Sequence, residues 1–143
     1  MNDKWGKRLF IAGAAVLVLA GAVHSLSFFV DPAPANALEK QMLGLMDNYK
    51  FNLMGSTCTM SGLMRGFSIT FMVSILGLGA LDLLLAGERA GLVKRVALVN
   101  VLWMATMTAV SIHYFFAIPI SFLASALLLF VAAWLKLPSE TAS

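Results

Sequence analysis

The chain is poor in charge and in cysteine. Charged side chains make up only 12% of its 143 residues, whereas 60% are hydrophobic and the mean hydropathy is +0.88. A soluble domain of this length usually carries about 25% charged residues, which it needs to cover a surface that faces water. We therefore expect the lipid bilayer to be the solvent for most of the chain. Cys58 is the only cysteine, which excludes an intramolecular disulfide and a zinc site built on paired cysteines.

The motifs of soluble enzymes are absent as well. The sequence has no glycine-rich phosphate loop, no HExxH or GxSxG motif, and no pair of carboxylates on a shared helix face. Its basic residues flank apolar segments, so they indicate membrane anchors and no surface for nucleic acid. These patterns assign no catalytic residue and no metal site.

Four long apolar runs account for most of the chain. They cover residues 9–30, 66–86, 96–116 and 118–135, and Asp82 is the only charged residue among them. A membrane span needs about 20 apolar residues to cross roughly 30 Å of hydrocarbon, and an α-helix satisfies its own backbone hydrogen bonds there. We therefore predict an all-α fold in which residues 1–143 form one membrane domain, an integral membrane four-helix bundle.

Lysine and arginine are distributed unequally between the segments that flank these runs. Seven lie before the first run, between the second and third, or after the fourth: Lys4, Lys7, Arg8, Arg89, Lys94, Arg95 and Lys136. Three lie on the opposite side: Lys40, Lys50 and Arg65. Because cytoplasmic loops carry the excess of basic residues, we predict a multi-pass protein of the cell inner (plasma) membrane with both termini cytoplasmic. Residues 31–65 then form the outer loop.

A short amphipathic helix is expected within that loop. Asn36 is a suitable N-cap, and Glu39 at the third helical position fits a capping box. The apolar residues that follow at helical spacing are Leu38, Met42, Leu45 and Met46. We expect this helix at the outer mouth of the bundle or in the headgroup layer, either as a simple cover or as a lid over a site.

Small residues indicate which helix faces allow close approach of another helix in lipid. Gly13 and Ala20 share a face of the first run with His24, which predicts that His24 faces the bundle. In the second run a narrow stripe of small residues is formed by Gly66, Thr70, Ser74 and Gly77.

Polar residues fall into two layers of the predicted bundle. His24, Arg65 and His113 belong to the outer half, and Asp82 and Asn100 belong to the inner end. Ionisable residues inside a membrane are costly and suggest function, so the three outer residues are the predicted ligand-binding residues. The alternative for the histidines is a structural hydrogen bond to a backbone carbonyl or to Ser25, Thr106 or Ser111. Asp82 and Asn100 are predicted to form a structural carboxylate–amide pair.

The third run has two polar faces that cannot both point at the bundle axis. One face carries Asn100, Met104, Met107 and Ser111, and the other carries Thr106, Ala109 and His113. If the first face points inward, His113 points toward a neighbouring helix, a partner or lipid headgroups.

Short motifs around the outer loop resemble those of a known family. They comprise Phe51, Met54, Gly55, Thr59, Gly66 and Phe67, together with Gly21, His24 and "YFFAIP" at residues 114–119. Over residues 9–135 the chain resembles an uncharacterised family of small bacterial four-helix integral membrane proteins. Members often carry an arginine before the threonine and a Trp-Asp pair after it, where this chain has Cys58, Ser61 and Gly62. The resemblance therefore implies a four-pass topology and no activity.

Three functions remain open from the sequence. The first is a pocket in the outer half for a hydrophobic molecule such as a lipid, a quinone or an isoprenoid, with His24 at its polar head and Arg65 at the mouth. The second is an accessory subunit, with no site of its own, in a larger membrane complex or a homo-oligomer. The third is a lipid-modifying enzyme with His24 as general base, or a bundle that binds haem through two histidines.

Overall fold

The structure is a computed structural model that describes residues 3–30 and 33–139. Within these residues lie five α-helices and a two-stranded hairpin. In chain order the elements are α1 (Asp3–Leu26), a 3-10 helix (Ser27–Phe29), α2 (Ala37–Asn48), β1 (Phe51–Leu53), β2 (Ser56–Cys58), α3 (Met60–Leu85), α4 (Ala90–Tyr114) and α5 (Ala117–Lys136). The predicted all-α class is confirmed, and the hairpin is an addition that the sequence analysis did not predict.

Four of the described helical stretches are long and apolar enough to cross a membrane: Asp3–Phe29, Met60–Leu85, Ala90–Tyr114 and Ala117–Lys136. The first three begin six residues before the predicted runs, at residues 3, 60 and 90 and not at 9, 66 and 96. Helical hydrogen bonding continues into the polar residues at the helix ends, and hydropathy does not detect that extension. Only residues 86–89 therefore connect α3 to α4.

The backbone contacts divide the chain into two compact units. The core unit comprises Met1–Ala22 and Ile75–Ser143, and the hairpin unit comprises Val23–Ser74. The core unit thus holds most of α1, the second part of α3, α4 and α5. The prediction that the whole chain forms one membrane domain stays a prediction.

Glycines bring helices of the core unit into close contact. A Cβ atom placed on Gly13 of α1 would lie 2.9 Å from the Phe130 ring of α5. A Cβ atom on Gly79 of α3 would lie 3.0 Å from the backbone carbonyl oxygen of Ala14 in α1. A side chain larger than hydrogen would push these helices apart, so both positions depend on glycine for the observed packing.

Apolar side chains fill the interior around these close approaches. Phe10 of α1 and Phe130 of α5 are fully buried and meet edge to face, with ring centroids 5.6 Å apart. Aromatic pairs in this geometry contribute about 0.5–1.5 kcal/mol beyond the burial of their area. The other buried apolar residues of the helices in this unit are Ala14, Leu17, Ile75, Val93, Ala97, Met104, Leu123, Ala126 and Ala133.

Two lysines connect separate segments at one end of the core unit. Lys7 Nζ donates to the carbonyl oxygens of Gly87 and Glu88 in the α3–α4 connection. Lys94 Nζ, near the start of α4, donates to the carbonyl oxygen of Leu137 at 2.8 Å. The beginning of α1, the α3–α4 connection and the end of α5 therefore lie at the same end of the core unit. Cations are favourable beside the free carbonyl groups at helix C-termini.

In the hairpin unit, α2 begins where the sequence predicts. Asn36 Oδ1 accepts a hydrogen bond from the backbone N–H of Glu39 at 2.9 Å, which confirms Asn36 as the N-cap and Ala37 as the first helical residue. Glu39 Oε2 accepts a hydrogen bond from the backbone N–H of Ala35 at 2.6 Å. The two bonds form a variant of the capping box in which the return bond reaches one residue further back.

A tight turn joins β1 to β2. Leu53 pairs with Ser56, so Met54 and Gly55 are the two turn residues. Both have positive φ, 51° for Met54 and 90° for Gly55, as a type I′ turn requires. Asn52 Oδ1 supports the turn by accepting a hydrogen bond from the Gly55 N–H at 3.0 Å. Methionine is uncommon in the left-handed region, which explains why the sequence carries little signal for this hairpin.

Candidate functional site

His24 lies in the last turn of α1 with its ring between two phenylalanines of the hairpin unit. The ring centroids of His24 and Phe28 are 5.7 Å apart, and those of His24 and Phe71 of α3 are 5.6 Å apart, both edge to face. His24 Nε2 is buried and has no hydrogen-bond partner among the described residues. An unsatisfied buried polar atom costs about 1–3 kcal/mol. The ring thus faces another helix, as predicted, whereas its role as a ligand-binding residue stays a prediction.

The other two predicted ligand-binding residues are exposed. Arg65 lies in the second turn of α3, in the hairpin unit. His113 lies near the end of α4, in the core unit, with its ring edge-on to Tyr114 at 4.6 Å. The inward face of α4 is the one that carries Asn100, Met104, Thr108 and Ser111, all of them buried. His113 therefore lies on the second of the two polar faces distinguished in the sequence. A haem bound by the two histidines also stays a prediction.

Asp82 and Asn100 are in direct contact inside the core unit. Asn100 Nδ2 donates to Asp82 Oδ2 at 2.7 Å, and the side chains are 1% and 0% exposed, respectively. Asp82 Oδ1 has no hydrogen-bond partner among the described residues. Because polar groups are expensive to leave unpaired away from water, this bond holds α3 and α4 in a defined register. The geometry fits the structural carboxylate–amide pair that the sequence analysis describes.

The small-residue stripe of α3 is exposed. Apart from the adjacent residues and the backbone of α3 itself, no described atom lies within 4 Å of a Cβ atom placed on Gly66 or Gly77. Thr70 and Ser74 are exposed, and their hydroxyl groups donate to the carbonyl oxygens of Gly66 and Thr70 at 2.9 Å and 2.8 Å. Among the four candidate spans, α3 is also the least buried, since only 17% of its 18-residue apolar stretch lies inside the protein. All four residues of the stripe are therefore exposed in the described structure.

Gly79 and Gly21 provide the close approaches that the predicted stripe does not. A Cβ atom on Gly21 of α1 would lie 2.5 Å from Leu76 of α3, and Gly79 meets Ala14 of α1 as described above. This face of α3 was not predicted from the sequence. A signal was present, because Ile75, Gly79 and Asp82 follow at i, i+4 and i+7, and a charged residue in a span is expected to face inward.

A cleft of about 570 Å³ lies in the hairpin unit beside the start of α3. It is lined by Lys50, Thr57, Cys58, Thr59, Gly62 and Leu63, so His24, Arg65 and His113 are not among its lining residues. Thr59 Oγ1 accepts a hydrogen bond from the Gly62 N–H at 3.1 Å and thereby caps α3. In the part of the chain that the structure describes, no three His, Cys, Asp or Glu side chains are placed to share a metal ion.

Comparisons with family models, curated proteins and solved structures found no match. The class that the fold defines is an all-α protein with four described helices able to span a membrane. The resemblance to a bacterial four-helix family stays a prediction.

Proposed function

We propose that this chain is a four-pass membrane protein and an accessory subunit of a larger membrane complex, which it contacts through the small-residue stripe of α3. The observation that carries the proposal is the exposure of Gly66, Thr70, Ser74 and Gly77 along one helix. Helix association in lipid is driven by close packing and interhelical contacts, and such faces are rich in glycine, serine and threonine.

The rest of the molecule supports this interpretation of the stripe. Inside the core unit, Gly13, Gly21 and Gly79 lie at close helix contacts, where a Cβ atom would come within 3.0 Å of a neighbour. Many exposed positions elsewhere on the spans carry large apolar side chains, among them Leu84, Leu102 and Leu128, which are 79%, 63% and 69% exposed. A lipid-facing surface does not need small residues. A surface against which another helix packs closely does need them, because small residues let the two backbones approach each other.

The proposed orientation places both termini in the cytoplasm of a bacterial cell, in its inner membrane. Support comes from the excess of lysine and arginine on the terminal side and from the contacts of Lys7 and Lys94. Those contacts gather the start of α1 and the end of α5 at one end of the core unit, which fits an even number of crossings.

The subunit proposal is tested by native mass spectrometry of the full chain extracted from its own membrane in a mild detergent. We expect the wild type to carry a second chain in fixed stoichiometry, and the double variant Gly66→Leu/Gly77→Leu to lose it. Ala105→Leu on α4 is the matched control, since it enlarges another exposed small residue and should retain the partner. A wild type found only as a monomer contradicts the proposal. A mass at a multiple of this chain's own mass also contradicts it, because the partner is then a second copy of this chain and the assembly is a homo-oligomer.

A second candidate function, binding of a hydrophobic ligand, is favoured by one observation. His24 Nε2 is buried between two aromatic rings and lacks a hydrogen-bond donor or acceptor among the described residues. The polar head of a lipid, a quinone or an isoprenoid would supply that bond, and Arg65 on the same unit would hold an anionic or carbonyl group. A lipid-modifying reaction with His24 as general base rests on the same observation.

Ligand binding predicts a specific loss in the variant His24→Ala. Mass spectrometry of gently purified protein should find a co-purified hydrophobic molecule in the wild type, and the variant should retain severalfold less of it. His113→Ala is the control because that side chain is exposed in the other unit. Equal amounts of ligand in both variants, or none in the wild type, would remove this candidate. A Soret band in the optical spectrum of the same sample would identify haem.

A further inference from the structure

The apolar face of α2 is uncovered. It consists of Leu38, Met42 and Leu45 and is continued by Tyr49 at the C-cap, and these side chains are 76%, 49%, 59% and 65% exposed. No residue of α2 is buried. One of the two roles predicted for α2 from the sequence is a lid over a site, but a lid would place this face against protein. In the described structure the face is largely exposed, and the ring contact it makes there is the stacking of Tyr49 on Phe51 of β1, with centroids 6.4 Å apart.

Two of the three charged residues of α2, Lys40 and Asp47, lie on the opposite side of the helix, and the third, Glu39, lies in the first turn about a quarter turn from the apolar face. At about 100° per residue, the four residues of the apolar face fall within an arc of roughly 60°, and Lys40 and Asp47 fall about 180° away from it. Both charged side chains are exposed. An apolar arc opposite a charged arc on a single short helix is the pattern of a helix that lies at the boundary between lipid and water.

Chain connectivity keeps α2 close to a membrane surface. The first span ends at Phe29, and α3 begins at Met60, so two consecutive crossings meet at the face where α2 is attached. The seven residues from 30 to 36 can extend over about 25 Å at most, which limits the distance of α2 from the end of the first span. This step rests on the proposed four-pass topology. It does not depend on the partner of α3.

We infer that α2 lies in the plane of the membrane, with Leu38, Met42, Leu45 and Tyr49 inserted at the boundary between headgroups and acyl chains. The occupant of this face is therefore the lipid surface itself. Lys40 and Asp47 point into water, and Tyr49 at the end of the helix places its hydroxyl group among the headgroups, where tyrosine is enriched. The α1–α3 connection is thus a membrane anchor and not a mobile cover.

Spin labelling of the full chain in phospholipid vesicles tests this inference. The single cysteine is first removed as Cys58→Ser, and cysteines for nitroxide labels are then introduced one at a time as Met42→Cys, Leu45→Cys, Lys40→Cys and Asp47→Cys. Collision rates with oxygen, which concentrates in lipid, and with a water-soluble nickel chelate are measured for each label. We expect the oxygen-to-nickel ratio at positions 42 and 45 to be severalfold higher than at positions 40 and 47.

Two other results would each overturn the inference. Equal ratios at all four positions would mean that the face is in water, and low rates with both reagents at positions 42 and 45 would mean that protein covers it, either a second copy or another segment. A label introduced as Leu128→Cys on α5 separates this failure from failure of the membrane topology. Leu128 is 69% exposed within the fourth span, so its label must show a lipid environment if the chain crosses the membrane at all.

Discussion

Gly79→Leu should prevent the close packing of α1 against α3. Among single substitutions at the glycines of α3, we expect it to give the largest loss of stability. A Cβ atom at residue 79 would lie 2.9 Å from Val18 Cγ2, 3.0 Å from the Ala14 carbonyl oxygen and 3.1 Å from the Val18 backbone nitrogen. Two of these atoms belong to the backbone of α1, so they cannot move aside without displacing the helix. Overpacking of a core costs about 1–3 kcal/mol, and we expect the upper end or more here. The measurement is the thermal unfolding midpoint of the purified protein in one detergent.

Gly77→Leu is the matched control for this effect. It lies two residues away on the same helix, and a Cβ atom placed there meets no described atom within 4 Å apart from the adjacent residues and the backbone of α3 itself. We expect its unfolding midpoint to stay close to that of the wild type, while its association with a partner is weakened according to the proposed function. Similar loss of stability in both variants would contradict the assignment of the two faces of α3.

The second large effect is expected at the pair of Asp82 and Asn100. Asn100→Val removes the amide that donates to Asp82 Oδ2 at 2.7 Å and leaves a carboxyl group that is 0% exposed without that bond. Breaking a buried polar pair from one side typically costs about 3–5 kcal/mol when a charge remains uncompensated. Asn100→Val should therefore lower the unfolding midpoint strongly.

Two further variants determine why stability is lost. Asp82→Asn keeps a side-chain oxygen that can accept from Asn100, so we expect it to remain near the wild type. The double variant Asp82→Val/Asn100→Val removes both polar groups and should recover most of the stability lost in Asn100→Val, because no buried group is left unpaired. If Asp82→Asn were as damaging as Asn100→Val, the carboxylate charge would be the essential feature and the structural interpretation of the pair would be wrong.

Features governed by strong local rules could be predicted from the sequence. The four spans follow from hydropathy and length, and the start of α2 follows from Asn36 and Glu39. The contact between Asp82 and Asn100 follows from the cost of polar groups in an apolar environment, since each needs the nearest available partner. That cost also places Asn100 and Ser111 on the buried face of α4.

Features governed by tertiary packing could not be predicted from the sequence. The turn at Met54 and Gly55 lacks the usual asparagine or aspartate, so the hairpin had no recognisable signal. The α3 stripe has the same composition whether it meets a helix of this chain or of another, and only the exposure of Gly66 and Gly77 distinguishes the two. The bonds of Lys7 to carbonyl groups about 80 residues away depend on the arrangement of whole helices and leave no pattern in the sequence.

The proposed four-pass topology requires the hairpin to lie on the side of the membrane opposite the ends of the chain. Cys58 in β2 is the only cysteine, so the unmodified protein carries a natural reporter for that side. In intact cells a membrane-impermeant maleimide should modify Cys58 from outside, whereas the variant Cys58→Ser/Ser139→Cys should react only after the membrane is opened. Modification of both positions from the same side of the membrane would contradict the account.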